Sequence, residues 1–273
     1  MKTSVQILVL LAACAALAAA PVPTDAQLEE RRADIEELTR SDYAALDKGK
    51  MTHAELGASL LDYAKNAEDP SDVFMLRRAA FRQYVLGGDV PAASNLYERI
   101  VRGSGAEYAQ ALARFSARQV GKLVQSRKDG AKELMDRLTA VEKRVRNVEA
   151  ARALAEQTPD DLALREKFAA ALALAGDWPA ALVQYSRLGG RVGELGLFER
   201  RYPRTGVTLL TTADVADHWW SYPEEARLAA DDAREFRLRA AKWYRLAVAN
   251  GVLRGVRRQI AEKRVQEAEA EAK

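Results

Sequence analysis

The stretch "VADHWW" (215–220) combines side chains that could do chemistry, because His218 lies beside Trp219 and Trp220. An imidazole can act as an acid or base near neutral pH. Adjacent indoles could form a platform on which a sugar stacks. The third interpretation is structural, since aromatic side chains also pack between paired helices. The spacing of the neighbouring residues decides among these three.

Helical spacing favours packing for Trp219. In a helix beginning near Thr212, the side chains of Val215, Trp219 and Tyr222 share one face. We expect this face to meet residues of the following long helix, namely Phe236, Ala240, Trp243, Tyr244 and Ala247. Trp220 points about 100° away from that face, so it is a candidate partner-binding residue, and His218 is interpreted as an interface residue.

The sequence offers little for metal or nucleophilic catalysis. His53 and His218 are the only histidines, and neither belongs to a Glu-x-x-His pair. No serine lies in a Gly-x-Ser-x-Gly elbow, and no glycine-rich phosphate loop is present. Paired carboxylates for glycoside cleavage stay open, but no particular pair is favoured. We therefore predict no catalytic residue, no metal, no cofactor and no enzyme.

A glycine- and arginine-rich stretch, "GGRVGELGLFERRYPRTGVTLLTT" (189–212), is predicted to be an irregular connector. Long loops often carry function. Its arginines are candidate contacts for an acidic partner or an anionic polymer: Arg191, Arg200, Arg201 and Arg204. The alternative is that they are solvated or pair with nearby carboxylates.

The N-terminus has the pattern of an export signal over residues 1–20. Lys2 precedes the apolar run "VQILVLLAACAALAAA", which ends in small residues. The "LAAC" ending at Cys14 resembles the lipobox of bacterial lipoproteins, which would make Cys14 a lipidation site and the sole membrane anchor. Soluble export is favoured, because the apolar run continues after Cys14. We expect the protein in the periplasm, the cell envelope or the extracellular space.

The charge pattern argues against nucleic acid as a partner. Residues 1–20 contain Lys2 as their only charged residue, and the remainder carries 41 basic and 39 acidic residues. The two signs are interleaved, as in "LEERRADIEELTR" (28–40), which is typical of solvated helix faces. Without residues 1–20 the chain has no cysteine, so disulfides cannot stabilise it.

Helix signals dominate after residue 24 and predict an all-α fold. "THAE" (52–55) and "SGAE" (104–107) have the capping-box pattern. Glycines, including Gly103, stand where helices are expected to end.

An internal repeat makes the prediction of an all-α fold more specific. "GDVPAASNLYERI" (88–100) and "GDWPAALVQYSRL" (176–188) share seven of thirteen residues in register. The glycine would end one helix, the aspartate would cap the next, and the proline would occupy its first turn. "AAKWYRLA" (240–247) repeats part of the spacing. The residues predicted to pack in the repeats are Gly88, Ala93, Tyr97, Gly176, Ala181, Tyr185, Trp219, Ala240, Trp243 and Tyr244.

The segment 158–188 resembles a tetratricopeptide repeat, with Phe168 and Leu172 at first-helix packing positions and Arg165 in place of the usual tryptophan. "AAKWYRLA" is also similar to the related Sel1-type repeat. The resemblance implies antiparallel helix pairs stacked as a right-handed solenoid with a C-terminal helical hairpin. The implied organisation is an export signal (1–20), a repeat core (24–188), the connector (189–212) and a C-terminal aromatic module (213–273).

More of the chain resembles a group of exported bacterial helical proteins that join such a core to a C-terminal module. The module is carried here by Trp219-Trp220, "RAAKWYRLA" (239–247) and "AEKRV" (261–265), in that order. Pro223 departs from the pattern, because it should break or kink a helix expected to continue.

These observations predict a non-enzymatic helical-repeat scaffold that binds another envelope protein or peptide through its solenoid groove. The alternative is a carbohydrate-interacting accessory protein, or a helical glycan-active enzyme, that uses the aromatic C-terminal module.

Overall fold

A computed structural model describes residues 21–114, 116–202 and 210–271. All regular elements in these ranges are α-helices, so the all-α prediction is confirmed. The helices are α1 (Asp25–Asp47), α2 (His53–Asn66), α3 (Pro70–Leu86), α4 (Val90–Ser104), α5 (Ala106–Ala113), α6 (Ala117–Gln125), α7 (Ala131–Gln157), α8 (Leu162–Leu174), α9 (Trp178–Tyr185), α10 (Gly190–Arg201), α11 (Thr212–Glu225), α12 (Ala230–Ala249) and α13 (Gly255–Ala270).

The chain forms two compact units. Unit 1 contains the described residues up to Asn147 together with Ala175–Asp177. Unit 2 contains Val148–Leu174 and the described residues from Trp178 onward. The predicted repeat core, residues 24–188, has residues in both units, because residues 148–174 and 178–188 belong to unit 2.

Unit 1 is held together by packing of α2, α3, α4 and α5. Thr52 begins α2 with the predicted capping box, in which its side chain and that of Glu55 each bond to the other's backbone amide. Aromatic pairs fill the interior: Phe74 packs edge-on against Tyr108 at 4.9 Å, and Phe81 lies 5.7 Å from Tyr97 between ring centroids. Burial of these rings supplies much of the driving force for this unit.

Unit 2 is built on helix pairs in which α8 packs on α9, α11 on α12, and α12 on α13. Thr211 caps α11 through a capping box with Asp214. Pro223 lies in the last turn of α11, which ends at Glu225, so the helix accommodates the proline near its end. The fully buried face of α11 includes Val215 and Trp219.

The second predicted capping box is wrong. Ser104 is the last residue of α4, and Gly105, with φ of 85°, precedes α5 without any side-chain cap. Gly103, predicted to end a helix, lies inside α4. The amide of Ala106 instead donates to the carbonyl oxygen of Ala175 at 2.7 Å. A contact with a distant backbone group thus replaces the local cap.

Both "GDxP" segments stand between consecutive helices. Gly88 follows α3 and Gly176 follows α8, with φ of 69° and 84°, a region that glycine enters without the penalty of a Cβ. Asp89 then accepts a hydrogen bond from the amide of Ala92 at 3.1 Å as α4 begins. The predicted packing side chains that are buried are Ala93, Tyr97, Ala181, Tyr185, Trp219, Ala240, Trp243 and Tyr244.

The segment 189–212 differs from the predicted irregular connector, because residues 190–201 form α10. Its glycines permit close packing. A Cβ on Gly196 would lie 3.0 Å from the Cβ of Tyr185 and 3.1 Å from the amide nitrogen of Ser186. Leu195 and Phe198 are buried on this helix. Glycine here therefore allows two helices to approach, rather than ending a helix.

Within the ranges given above, no helix has both the length and the apolar character that crossing a bilayer would require. The predicted export signal, with Cys14, lies outside the described residues, as does Arg204.

Candidate functional site

A groove of about 520 Å³ lies in unit 1 along helices α1 and α3. Its lining residues are Asp25, Leu28, Glu29, Arg32, Ile35, Glu36, Tyr43, Met75, Arg78, Ala79, Arg82 and Ser116. The apolar part comes from both helices, with Leu28 and Met75 buried and Ile35 partly accessible. An extended apolar floor of this kind suits aliphatic side chains of a ligand.

The charges of the groove are divided between its two helices. On α1 the lining contains the carboxylates of Asp25, Glu29 and Glu36, with Arg32 as the basic exception. On α3 the charged lining residues are Arg78 and Arg82. A ligand that bridges both sides therefore meets acidic groups along one helix and basic groups along the other.

Arg78 is the half-buried charge of this groove. Its guanidinium carbon lies 5.5 Å from the ring centroid of Phe74, within cation–π range. Burial lowers the pKa of Arg78, and the nearby Arg32 lowers it further. An arginine still keeps its positive charge at neutral pH, so the groove carries a partly desolvated cation at this position.

An ion pair fixes α1 against α3 beside the groove. The Nε and Nη2 groups of Arg31 donate to the two carboxylate oxygens of Asp72 at 2.8 and 2.7 Å. The hydrogen bond and the charge of Asp72 raise the pKa of Arg31. Asp72 is buried on α3, whereas Arg31 is partly exposed. A bidentate pair of this geometry orients as well as attracts, so it sets the position of the α1 wall.

The groove is lined by carboxylates, guanidinium groups and apolar side chains. Its lining includes no histidine and no cysteine. Across the described ranges, no group of three or more His, Cys, Asp or Glu residues is arranged to hold a metal ion. The chemistry that this arrangement supports is apolar contact combined with ion pairing.

In unit 2, Trp219 is an interior residue with no solvent-exposed surface. Its ring lies 5.1 Å from Tyr185, 5.4 Å from Trp178 and 5.9 Å from Phe236, measured between centroids. The contact with Phe236 is the one that helical spacing predicts. Trp243 instead faces α10, with Tyr202 at 5.3 Å, and the Tyr244 hydroxyl donates to Asp217 at 2.7 Å.

A polar centre that the residue pattern does not predict surrounds Trp219. Its indole Nε1 donates to Glu199 Oε2 at 2.7 Å. The other oxygen of this buried carboxylate accepts a hydrogen bond from Arg239, whose guanidinium lies 4.7 Å from the Trp178 ring. The available signal was the position of Glu199, four residues after Leu195 on the buried face of a helix.

Trp220 is half-buried against the last two helices. The guanidinium carbons of Arg237 and Arg264 lie 5.7 and 5.2 Å from its ring centroid. Tyr244 is 6.2 Å away, between centroids. Cation–π packing within the chain therefore occupies much of the ring environment that a sugar would need.

His218 packs against aromatic rings, 4.7 Å from Trp219 and 5.7 Å from Tyr222. Within the part of the chain that the structure describes, its buried Nε2 has no hydrogen-bond partner. Burial lowers the pKa of His218, and Arg191 contributes in the same direction. These contacts favour a neutral imidazole and do not orient it as a general base.

Two of the predicted arginine contacts, Arg191 and Arg200, have local partners in the structure. Arg191 pairs with Asp214 at 3.1 Å. Arg200 donates to the hydroxyl of Ser186 at 2.9 Å, and Arg201 is exposed at the end of α10. Exposed pairs such as that of Arg191 contribute little to stability.

Comparison of the chain with protein-family models, with curated proteins and with solved structures found no match.

Proposed function

We propose that this protein is a non-enzymatic helical scaffold of the cell envelope that binds a segment of another protein in the α1–α3 groove. The observation that carries the proposal is the apolar floor of that groove between acidic residues on α1 and basic residues on α3. The bidentate Arg31–Asp72 pair supports it, because it holds the groove wall in place without a ligand.

A polypeptide is the ligand class that best matches this lining. Aliphatic side chains of a peptide would cover Ile35 and Met75, while its charged residues would meet groups of opposite sign on the two helices. Carboxylates of the ligand would face Arg78 and Arg82. Its lysines or arginines would face Glu29 and Glu36. A ligand of single charge sign would be repelled by one side.

The tetratricopeptide-like arrangement is part of the same proposal. The two "GDxP" corners between consecutive helices and the buried small residues Ala93 and Ala181 support it. In such repeats the small residue allows the paired helices to approach closely, and stacked pairs present their faces to extended partners. The residue pattern at 158–188 carries the resemblance.

Photo-crosslinking tests the groove directly. A benzoylphenylalanine would replace Ile35, which lines the groove, or Leu38, which is 47% exposed on the same helix and does not line it. In intact envelopes we expect a crosslinked polypeptide from position 35 and not from position 38.

A second experiment adds a charge reversal to the protein that carries the crosslinking residue. Glu29→Lys changes a lining carboxylate, whereas Glu30→Lys changes its exposed neighbour outside the lining. The crosslink should be lost with Glu29→Lys and kept with Glu30→Lys. Identical products from positions 35 and 38, or no effect of either reversal, would contradict peptide binding in this groove.

The glycan alternative is not favoured by the geometry around the two tryptophans. Trp219 is fully buried, and Trp220 lies beside two guanidinium groups of its own chain. A stacking platform requires an accessible ring face.

A further inference from the structure

We propose that the corner joining α12 to α13 docks on an anionic lipid surface. The corner patch consists of Val252, Arg254, Val256, Arg257, Arg258 and Ile260. It belongs to unit 2, apart from the groove assigned above, and this inference does not depend on peptide binding in that groove.

The patch exposes aliphatic side chains in a group. Val252 is 43% exposed, Val256 69% and Ile260 46%. Val256 and Ile260 are four residues apart on α13, so they lie one above the other on one side of the helix. The neighbouring Leu253 is buried and anchors the corner to unit 2. Single exposed aliphatic residues are ordinary, but three within nine residues form a surface that contact with hydrocarbon would stabilise.

The chain segment that carries the patch has charges of one sign, although carboxylates from other parts of the chain lie beside it. Residues 236–261 contain six arginines and one lysine but no aspartate or glutamate. The arginines on the body of α12 pair with carboxylates from elsewhere: Arg237 with Glu271, Arg239 with Glu199, and Arg245 with Glu269. These pairs offset the charges of the three arginines on the helix, so the other three arginines of the segment are those of the corner.

The three arginines of the corner make only weak interactions with the rest of the chain. Arg254 donates from Nε to the carbonyl oxygen of Gly251 at 3.3 Å, which leaves its charge unneutralised by that contact. Arg257 lies 3.5 Å from Asp217, and Arg258 pairs with Glu262 on its own helix at 2.8 Å. All three residues are exposed. Exposed ion pairs of this kind contribute little free energy, so the guanidinium groups can turn to phosphate groups of a bilayer.

The combination favours a lipid surface over the other partners. Arginines beside shallow aliphatic residues supply both components of peripheral membrane binding, electrostatic attraction and limited insertion. Nucleic-acid surfaces typically add aromatic side chains for stacking, and the patch contains none. A symmetric contact with a second copy would bring the same arginines together across the two-fold axis. Like charges would oppose that contact.

Vesicle flotation of the full chain tests the proposal. Vesicles of phosphatidylcholine alone would be compared with vesicles containing phosphatidylglycerol, at low and at physiological salt. We expect binding to the anionic vesicles that weakens with salt and is much smaller on neutral vesicles. Replacing Arg254 by Gln should weaken binding about fivefold. A contribution from the N-terminal apolar run would instead be independent of lipid charge.

The apolar contribution to vesicle binding is tested with two double variants, one in the patch and one outside it. The double variant Val256→Ser, Ile260→Ser should weaken binding to anionic vesicles roughly tenfold, because the inserted hydrocarbon is lost. The control Leu154→Ser, Leu162→Ser removes two aliphatic side chains that are 50% and 51% exposed elsewhere in unit 2. It should leave binding unchanged. Thermal unfolding of each variant would verify that it remains folded.

Several outcomes would overturn the proposal. These are equal binding to neutral and anionic vesicles, no binding to either, or equal losses in the patch and control variants. Concentration-dependent dimerisation without vesicles, abolished by the Val256 and Ile260 substitutions, would identify the patch as a self-association surface instead.

Discussion

At the scale of single residues, the adjacent tryptophans have different environments. Trp219 is enclosed by the rings of Trp178, Tyr185 and Phe236 and donates to buried Glu199. Trp220 keeps part of its surface accessible beside Arg237 and Arg264. Neighbours in sequence on a helix point about 100° apart, which is why the two indoles can differ so strongly.

This difference predicts unequal effects of truncation. Trp219→Ala should lower the free energy of unfolding by about 3–5 kcal/mol, because it opens a cavity and removes a hydrogen bond to a buried carboxylate. Trp220→Ala should have a distinctly smaller effect, since less buried surface is lost. Urea denaturation of both variants measures the difference. Equal, small losses together with loss of glycan binding would instead indicate an exposed recognition platform.

His218 should make stability depend on pH. Burial lowers the pKa of its imidazole in the folded state below the ordinary value of about 6.5. The unfolded chain then binds the proton more readily, so His218 destabilises the fold as pH falls through 6.5 and has no such effect above it. Glu225 and Glu199 partly oppose this shift, whereas Arg191 adds to it.

When the pH is lowered from 7.5 to 5, the free energy of unfolding should decrease less for His218→Gln than for the natural chain. Denaturation curves of both proteins at the two pH values provide the comparison, and carboxylates elsewhere in the chain affect the two proteins equally. His53→Gln, at an imidazole that is hydrogen-bonded to Gln83 at 2.7 Å, is the matched control for a histidine-to-glutamine change. A parallel loss in the His218 variant and the natural chain would contradict the burial argument.

At the scale of elements, α1 depends on a specific link to α3. This 23-residue helix buries only Leu28 and Thr39. Hydrophobic burial along α1 is therefore limited, and the bidentate contact of Arg31 with Asp72 becomes important for its position.

Asp72→Asn should lower the free energy of unfolding, because a neutral amide loses the charge-assisted bidentate contact with Arg31. Hydrogen exchange should increase in α1 more than in α2, because the variant releases the wall of the groove. Asp34→Asn is the control: it removes an exposed partner of Arg31 that lies 3.2 Å away on the same helix. Equal effects of the two substitutions would mean that the α1–α3 pair does not position the helix.

At the scale of the whole molecule, the two proposed surfaces lie in different units, with the peptide groove in unit 1 and the corner patch in unit 2. Both proposals place the protein in a compartment that offers partner proteins and a lipid surface. The N-terminal pattern at residues 1–20 predicts how it reaches that compartment.

Mass spectrometry of the protein from its own envelope tests this prediction. Because Pro21 disfavours cleavage directly after Ala20, we expect a mature N-terminus after Ala18 or Ala26 without an acyl group, and Cys14→Ser should leave the localisation unchanged. A mature chain that begins with acylated Cys14 would establish the lipid-anchored alternative. An uncleaved chain in the cytoplasm would contradict export altogether.

The helical class and much of the local helix chemistry are predictable from the residue pattern alone. The capping box at Thr52, the helix start near Thr212 and the corners at Gly88 and Gly176 depend on residues three or four apart. Cap hydrogen bonds and the backbone freedom of glycine depend on residues that are close together in the sequence, so the residue pattern predicts them. The capping pattern at Ser104 gave the wrong result where a contact with Ala175 took its place.

Only the tertiary structure decided which distant residues meet. Arg31 and Asp72 are 41 positions apart, and Glu199 and Arg239 are 40 apart. Abundant charged residues on helical faces make such pairs arbitrary choices from sequence alone. The same holds for α10, whose glycines gain their meaning from the backbone of α9 that packs on them. Local patterns specify which helices form, whereas the free energy of packing selects the faces that come together.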